Sequence, residues 1–155
     1  MKGYQITTAR EYDRHVLTEI AFSAKRHWNY PEEWIQLWTD QLTISAPYIR
    51  DHYVFKLVEE ASREIVGFCA LEHHRIASSL EIAHAWIRPD YIGKHLGEWL
   101  VNFALSNLQS LPVNRYVVTA DPHVTGFYEK LGFTITHTIA SKPLGRWIPV
   151  MEMIK

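Results

Sequence analysis

The chain has 155 residues, 47% of them hydrophobic and 21% charged, and its 16 Lys and Arg face 17 Asp and Glu for a formal net charge of −1. That balance excludes a nucleic-acid binder working through bulk positive charge. Six Trp, eight Tyr and six Phe in so neutral a chain exclude disorder. One domain over residues 1–155 is expected, long enough to bury roughly two-thirds of its unfolded surface.

The opening MKGYQITTAREYDRHVL has no apolar stretch of the kind a secretory signal needs, so a soluble, cytoplasmic protein without a membrane partner is expected. Tyr4–Ala9 reads as a first strand. From Arg10 to His27, Val16-Leu17, Ile20-Ala21 and Ala24 recur at helical spacing. Pro31 opens a second helix, where its missing N–H is harmless. The apolar stripe of that helix is Trp34-Ile35, Trp38 and Leu42, with Glu32, Glu33, Gln36 and Asp40 turned away.

Tyr53–Val58, Glu64–His73 and Leu80–Ile87 are β-branched and aromatic runs joined by short polar connections, the pattern of antiparallel strands. The single Cys69 lies in the middle run, where it reads as a buried structural thiol. One cysteine excludes an internal disulfide, a zinc ribbon and a CxxC redox pair. Pro89 ends the third run. Leu96, Leu100, Phe103-Ala104 and Leu108 then mark a helix that stops before Pro112.

Arg115–Thr119 is the next strand. The connection back from it to Ile87 is long enough for a right-handed crossover, so Leu80–Ile87 and Arg115–Thr119 are expected to be parallel. Asp121-Pro122 starts a helix, as N-cap and first position, with the stripe Val124, Phe127, Tyr128 and Leu131 and a stop at Gly132. Phe133–Ala140 and Arg146–Ile154 read as a closing hairpin. The elements together predict a mixed sheet covered by helices.

Chemistry concentrates in Trp86-Ile87-Arg88-Pro89-Asp90-Tyr91-Ile92-Gly93-Lys94-His95-Leu96-Gly97. A strand breaks at a proline, crosses a loop and enters a helix whose free N–H groups and dipole suit an anion. Lys94 and Arg88 add positive charge, and Gly97 lets a ligand approach the backbone. The loop is neither GxxxxGK[ST] nor GxGxxG, and taken alone it is equally compatible with a helix start that binds nothing.

Taken with the later Phe127-Tyr128-Glu129-Lys130-Leu131-Gly132-Phe133, the segment resembles the GNAT superfamily of acyl-CoA-dependent N-acetyltransferases. The family's pyrophosphate loop reads (Arg/Gln)-x-x-Gly-x-(Gly/Ala), and its later helix commonly reads Phe-Tyr-Glu-Lys-Leu-Gly-Phe. Two departures stand out: Ile92 occupies the Arg/Gln position and His95 the first glycine. The resemblance implies an α/β (α+β) fold of GNAT type, a mixed, mostly antiparallel sheet of about seven strands with a central parallel pair and helices on both faces.

It also implies acetyl transfer from acetyl-CoA to an amine acceptor by direct attack on the thioester. Trp86 and Ile87, through their backbone, and Gly93, Lys94, His95, Leu96 and Gly97 in the loop would bind the cofactor. The Ile87 N–H would face the thioester oxygen, which gains negative charge in the transition state. The fold often forms homodimers. A non-catalytic acyl-CoA-binding sensor on the same fold is the alternative, favoured by the altered loop.

An amine must lose a proton, which calls for a base. Glu81 is the first candidate, at the same offset before Gly97 as the glutamate base of the histone-acetylating branch and, by simple alternation, on the strand face of Ile87. His84, expected on the opposite face, comes second, with His73 and His74 behind it. Tyr128 is expected to hydrogen-bond the departing thiolate, the alternative being one more residue of the apolar stripe. Adjacent histidines point to opposite faces of a strand and no HExxH occurs, so no metal is expected. Trp28, Tyr30, Trp34 and Trp38 would line an acceptor site or fill the core.

Overall fold

Seven strands form one sheet in the order β1-β2-β3-β4-β5-β7-β6. They are β1 (Tyr4–Thr8), β2 (Tyr53–Glu59), β3 (Ile65–His73), β4 (Ser79–Ile87), β5 (Arg115–Thr119), β6 (Thr134–Ser141) and β7 (Arg146–Ile154). This computed structural model describes residues 1–76 and 78–155, so that Ala77, within the connection expected between the second and third strand runs, lies outside them. β4 and β5 pair in parallel and the other neighbours are antiparallel, so the mixed sheet carries its parallel pair near the centre.

The period-two pattern of β3 explains why helices cover both faces. Phe68 and Ala70 pack with Leu17, Ile20 and Ala21 of α1 (Arg14–Arg26). Cys69 and Leu71 pack on the other face with Leu100, Val101 and Ala104, which belong to the helix Leu96–Asn107. All four of these β3 side chains are fully buried, each worth roughly 1–3 kcal/mol of hydrophobic stabilisation. Burial also pushes the Cys69 thiol up to about 12, which makes it an inert structural group.

The second expected helix is two short ones, α2 (Glu32–Leu37) and α3 (Thr39–Leu42), broken at Trp38. At the break the Trp38 indole N–H donates to the Lys142 carbonyl at 3.0 Å. Ile35, Trp38 and Leu42 are still the buried stripe. A further helix, α4 (Ala46–Asp51), carried only the start signals Ser45, whose hydroxyl accepts from the Tyr48 N–H, and Pro47. With Ile49 as its one buried residue it has no stripe to read. The helix after β4 is α5 (Leu96–Asn107), and α6 (Thr125–Lys130) follows a tight turn at Pro122–Val124. Among the described residues no helix is long and apolar enough to cross a membrane.

Candidate active site

β4 and β5 stay paired only from Ser79 to Ile82 and from Arg115 to Val118. Beyond that the strands diverge, and a cavity of about 460 Å³ opens between them. Ala83, Ala85 and Ile87 line one wall and Thr119 and Ala120 the other, with Gly97 of α5 and Tyr128 of α6 closing it. On the β3 side, the Arg88 N–H donates to the Val66 carbonyl at 2.8 Å. Antiparallel alternation then turns the Trp86 backbone toward β3 and the Ile87 N–H toward the open gap. Ile87 thus offers the gap a strand donor, whereas the Trp86 peptide does not.

At the α5 end the backbone forms a cradle. Gly93 takes φ 88° and His95 takes φ 61° and ψ 16°, both left-handed. His95 holds the conformation that a glycine adopts without strain, which explains how it stands where the loop pattern has glycine. The first N–H to bond back into α5 is that of Trp99, to the His95 carbonyl. Among the described residues no side chain caps the helix, so the N–H groups of Leu96, Gly97 and Glu98 stand at its positive end. A Cβ on Gly97 would sit 3.4 Å from the Phe127 ring and 3.7 Å from Ile87, in the gap between two lining side chains.

Neither Lys94 nor Arg88 is part of the cavity lining. The Lys94 Nζ lies 5.0 Å over the Tyr91 ring. Arg88 is committed elsewhere, donating to the Ile65 carbonyl at 2.9 Å and to Glu19 of α1 at 2.9 Å.

Tyr128 lines the cavity yet is only 5% exposed, and burial pushes its phenol pKa up. Among the described residues its hydroxyl has no hydrogen-bond partner. It is a protonated donor without a protein acceptor.

The base candidates require a correction. Ala70 pairs with His84 but Leu71 with Ile82, so β4 carries a bulge at Ala83. The extra residue shifts the alternation. Glu81, opposite Glu72, falls on the face of His84 and Trp86, and not on that of Ile87. Neither Glu81 nor His84 lines the cavity. Burial raises the Glu81 pKa. His84 accepts from the Trp86 indole N–H at 3.0 Å on Nδ1, and burial lowers its pKa to about 4. Beside them Tyr48 donates to Glu72 at 2.6 Å. His73 sits with the Tyr53 hydroxyl, and His74 Nδ1 accepts from the Ile76 N–H, both away from the cavity wall.

A cluster at the other end of the cavity was missed from the sequence, where Asp121 reads only as a helix cap. Lys25 of α1 meets Asp121 at 2.7 Å. Tyr30 donates to Asp121 at 2.9 Å, Arg146 of β7 donates to the Tyr30 oxygen at 3.2 Å, and the His123 N–H and Nδ1 lie 2.9 and 2.8 Å from Asp121. Trp28 stacks on His123 with centroids 4.7 Å apart, and both rings line the cavity. Trp38 is core, and Trp34 is half-buried against it.

Residues 50–135, more than half of the chain, match the family model of the acetyltransferase (GNAT) domain. The fold is similar to PaiA N-acetyltransferase from Thermoplasma acidophilum, solved with coenzyme A, at 21% identity and TM-score 0.80 over 98% of this chain and 99% of that one. It is similar to a GCN5-related N-acetyltransferase from Rhodopseudomonas palustris at 17% identity and TM-score 0.81, over 100% and 98% of the two chains. The ribosomal-protein-S18-alanine N-acetyltransferase from Escherichia coli is similar at 14% identity and TM-score 0.70, over 97% and 93%. No curated protein matches the sequence itself.

Proposed function

The chain belongs to the GNAT acetyltransferase family, and on that premise we propose that it is an acetyl-CoA-dependent N-acetyltransferase acting on an amine. The observation that carries this reading is the convergence on one cavity of the Ile87 N–H edge, the start of α5 and the hydroxyl of Tyr128, the last two without a side-chain cap or a hydrogen-bond partner among the described residues. These walls fit the cofactor: backbone N–H groups and the helix dipole suit its phosphates, and the opened β4 edge suits its amides.

Acetyl-CoA supplies the activated acetyl group; the chain supplies the rest. Leu96, Gly97 and Glu98 hold the phosphates, with Gly93 and His95 shaping the loop. The Ile87 N–H stabilises the carbonyl oxygen as charge builds on it. Tyr128 hydrogen-bonds the departing sulfur. A thiol pKa is near 8.5 and a tyrosine near 10 before burial raises it further, so the phenol gives a hydrogen bond and keeps its proton. Glu81, the expected base, lies off the cavity wall and would take the proton of the incoming ammonium only through intervening water, its raised pKa bringing it closer to working pH. The free, buried Cys69 fits a reducing, cytoplasmic setting.

Calorimetric titration with acetyl-CoA, followed by CoA-thiol release across an amine panel, tests the reading. Saturable binding with turnover is expected. Binding without turnover on any amine favours the acyl-CoA sensor, and no binding at millimolar acetyl-CoA overturns both.

A further inference from the structure

Asp121 and His123 stand in the turn that joins β5 to α6, and both line the cavity that Tyr128 closes. Asp121 is ionised: burial works to raise its pKa, but the charge and hydrogen bond of Lys25 and the donors of His123 outweigh burial and hold it at about 2. A carboxylate only accepts, so the 2.8 Å contact of Asp121 Oδ1 with His123 Nδ1 puts the imidazole proton on Nδ1. The lone pair of the neutral ring is then on Nε2, for which no protein partner is found among the described residues. Trp28 fixes the ring plane by stacking at 4.7 Å and 11°.

The groups around this ring come from every neighbouring element: Asp121 on its own turn, Lys25 on α1, Tyr30 after α1, and Arg146 on β7. Both cations are bound to Asp121 or Tyr30, so they support the carboxylate. The His123 side chain is 41% exposed, which gives it a path to water. Glu81 and His84 lie off the cavity wall, and His95 and Glu98 belong to the α5 end.

We infer that His123 is a second proton acceptor in the transfer, with Asp121 as its positioning residue. This rests on the N-acetyltransferase reading. An amine that arrives as an ammonium sheds two protons, the first before attack. The nitrogen lone pair then forms the N–C bond while the carbonyl pair moves onto oxygen. That pair returns as the C–S bond breaks, and sulfur leaves with its electrons. The nitrogen is left cationic until its remaining surplus proton passes to His123 Nε2, and the imidazolium, held by Asp121, gives it to water. Neutral amine and thioester thus become amide, thiolate and one proton.

Two measurements test this. Long-range ¹H–¹⁵N NMR of the free protein reads the tautomer without turnover: neutral His123 is expected as the Nδ1–H form, and the Nε2–H form overturns the assignment. His123→Asn keeps an amide donor near the Nδ1 position and has no Nε2. With spermidine, a small alkylamine and an alanine-initiated peptide as acceptors, it is expected to bind acetyl-CoA within about twofold of wild type and to lose on the order of a hundredfold in kcat. Wild-type turnover with His123→Asn at the same kcat overturns this assignment alone. A wild-type chain that binds acetyl-CoA and acetylates none of the amines overturns the transferase reading, and this one with it.

Discussion

The Lys25 ammonium and the Asp121 carboxylate meet at 2.7 Å with side chains only 11% and 8% exposed, and the ammonium lies 4.4 Å over the Trp38 ring. The pair ties the end of α1 to the turn after β5, the two segments that bound the far end of the cavity. Its two halves are not equally replaceable. Lys25→Met keeps most of the aliphatic stem against the aromatic rings and leaves Asp121 with Tyr30, His123 and Arg146, whose Nη2 is 3.7 Å away. Asp121→Asn strands Lys25 beside the like charge of Arg146. Urea unfolding is expected to show a loss of about 1–2 kcal/mol for Lys25→Met and about 3 kcal/mol for Asp121→Asn. The reverse order would mean that Arg146 cannot hold the carboxylate alone.

Tyr128→Phe separates packing from chemistry. The ring stacks edge-on against Phe127 and Phe133, and the hydroxyl finds no hydrogen-bond partner among the described residues, so the variant is expected to keep its stability within about 1 kcal/mol. Acetyl-CoA affinity should hold while kcat falls on the order of a hundredfold, the loss expected when one transition-state donor is removed. Single-turnover assays decide the matter. Unchanged turnover would leave Tyr128 as one more residue of the α6 stripe.

Much of this was legible because local chemistry and tertiary packing agree. The strand runs alternate as their burial does, and Phe127–Phe133 places Tyr128 in the cavity that Ile87 and Gly97 reach from other segments. What escaped depends on single insertions or distant partners. A two-residue period cannot show the bulge at Ala83, and that one residue moves Glu81 across the sheet relative to Ile87. The bond from the Trp38 indole at the break between α2 and α3 goes to a carbonyl at Lys142, far along the chain. Arg88 reads as free positive charge until Glu19 and the Ile65 carbonyl are found to hold it. Nothing near Asp121 in sequence announces Lys25.

His84 predicts a pH dependence of stability. Its pKa is lowered from an ordinary 6.5 to about 4 by burial, and neutral Nδ1 accepts from the Trp86 indole. Between those values the unfolded chain binds a proton that the folded chain refuses, so stability falls as the pH falls from about 6.5 toward 4, by up to about 3 kcal/mol. His84→Asn places an amide oxygen near Nδ1 and does not titrate. Urea midpoints at pH 7.5 and 4.5 should therefore differ less for the variant than for wild type. Equal pH slopes would show that His84 is readily protonated in the fold.

The α5 loop can be tested at His95, where an L-residue holds φ 61° and ψ 16°. His95→Gly removes a left-handed strain of about 1 kcal/mol but adds a similar conformational entropy to the unfolded chain, so the net change should be small. His95→Val puts a β-branched side chain at positive φ and is expected to destabilise by about 2 kcal/mol. If backbone N–H groups do the holding, His95→Gly keeps acetyl-CoA affinity at or above the wild-type level, because the loop path is retained and the exposed imidazole adds nothing. Dephospho-CoA titrated in parallel separates the pyrophosphate contribution from that of the ribose phosphate. A tenfold loss of acetyl-CoA affinity in His95→Gly would instead assign the contact to the imidazole, making the departure from glycine part of the binding site and not a strain the loop tolerates.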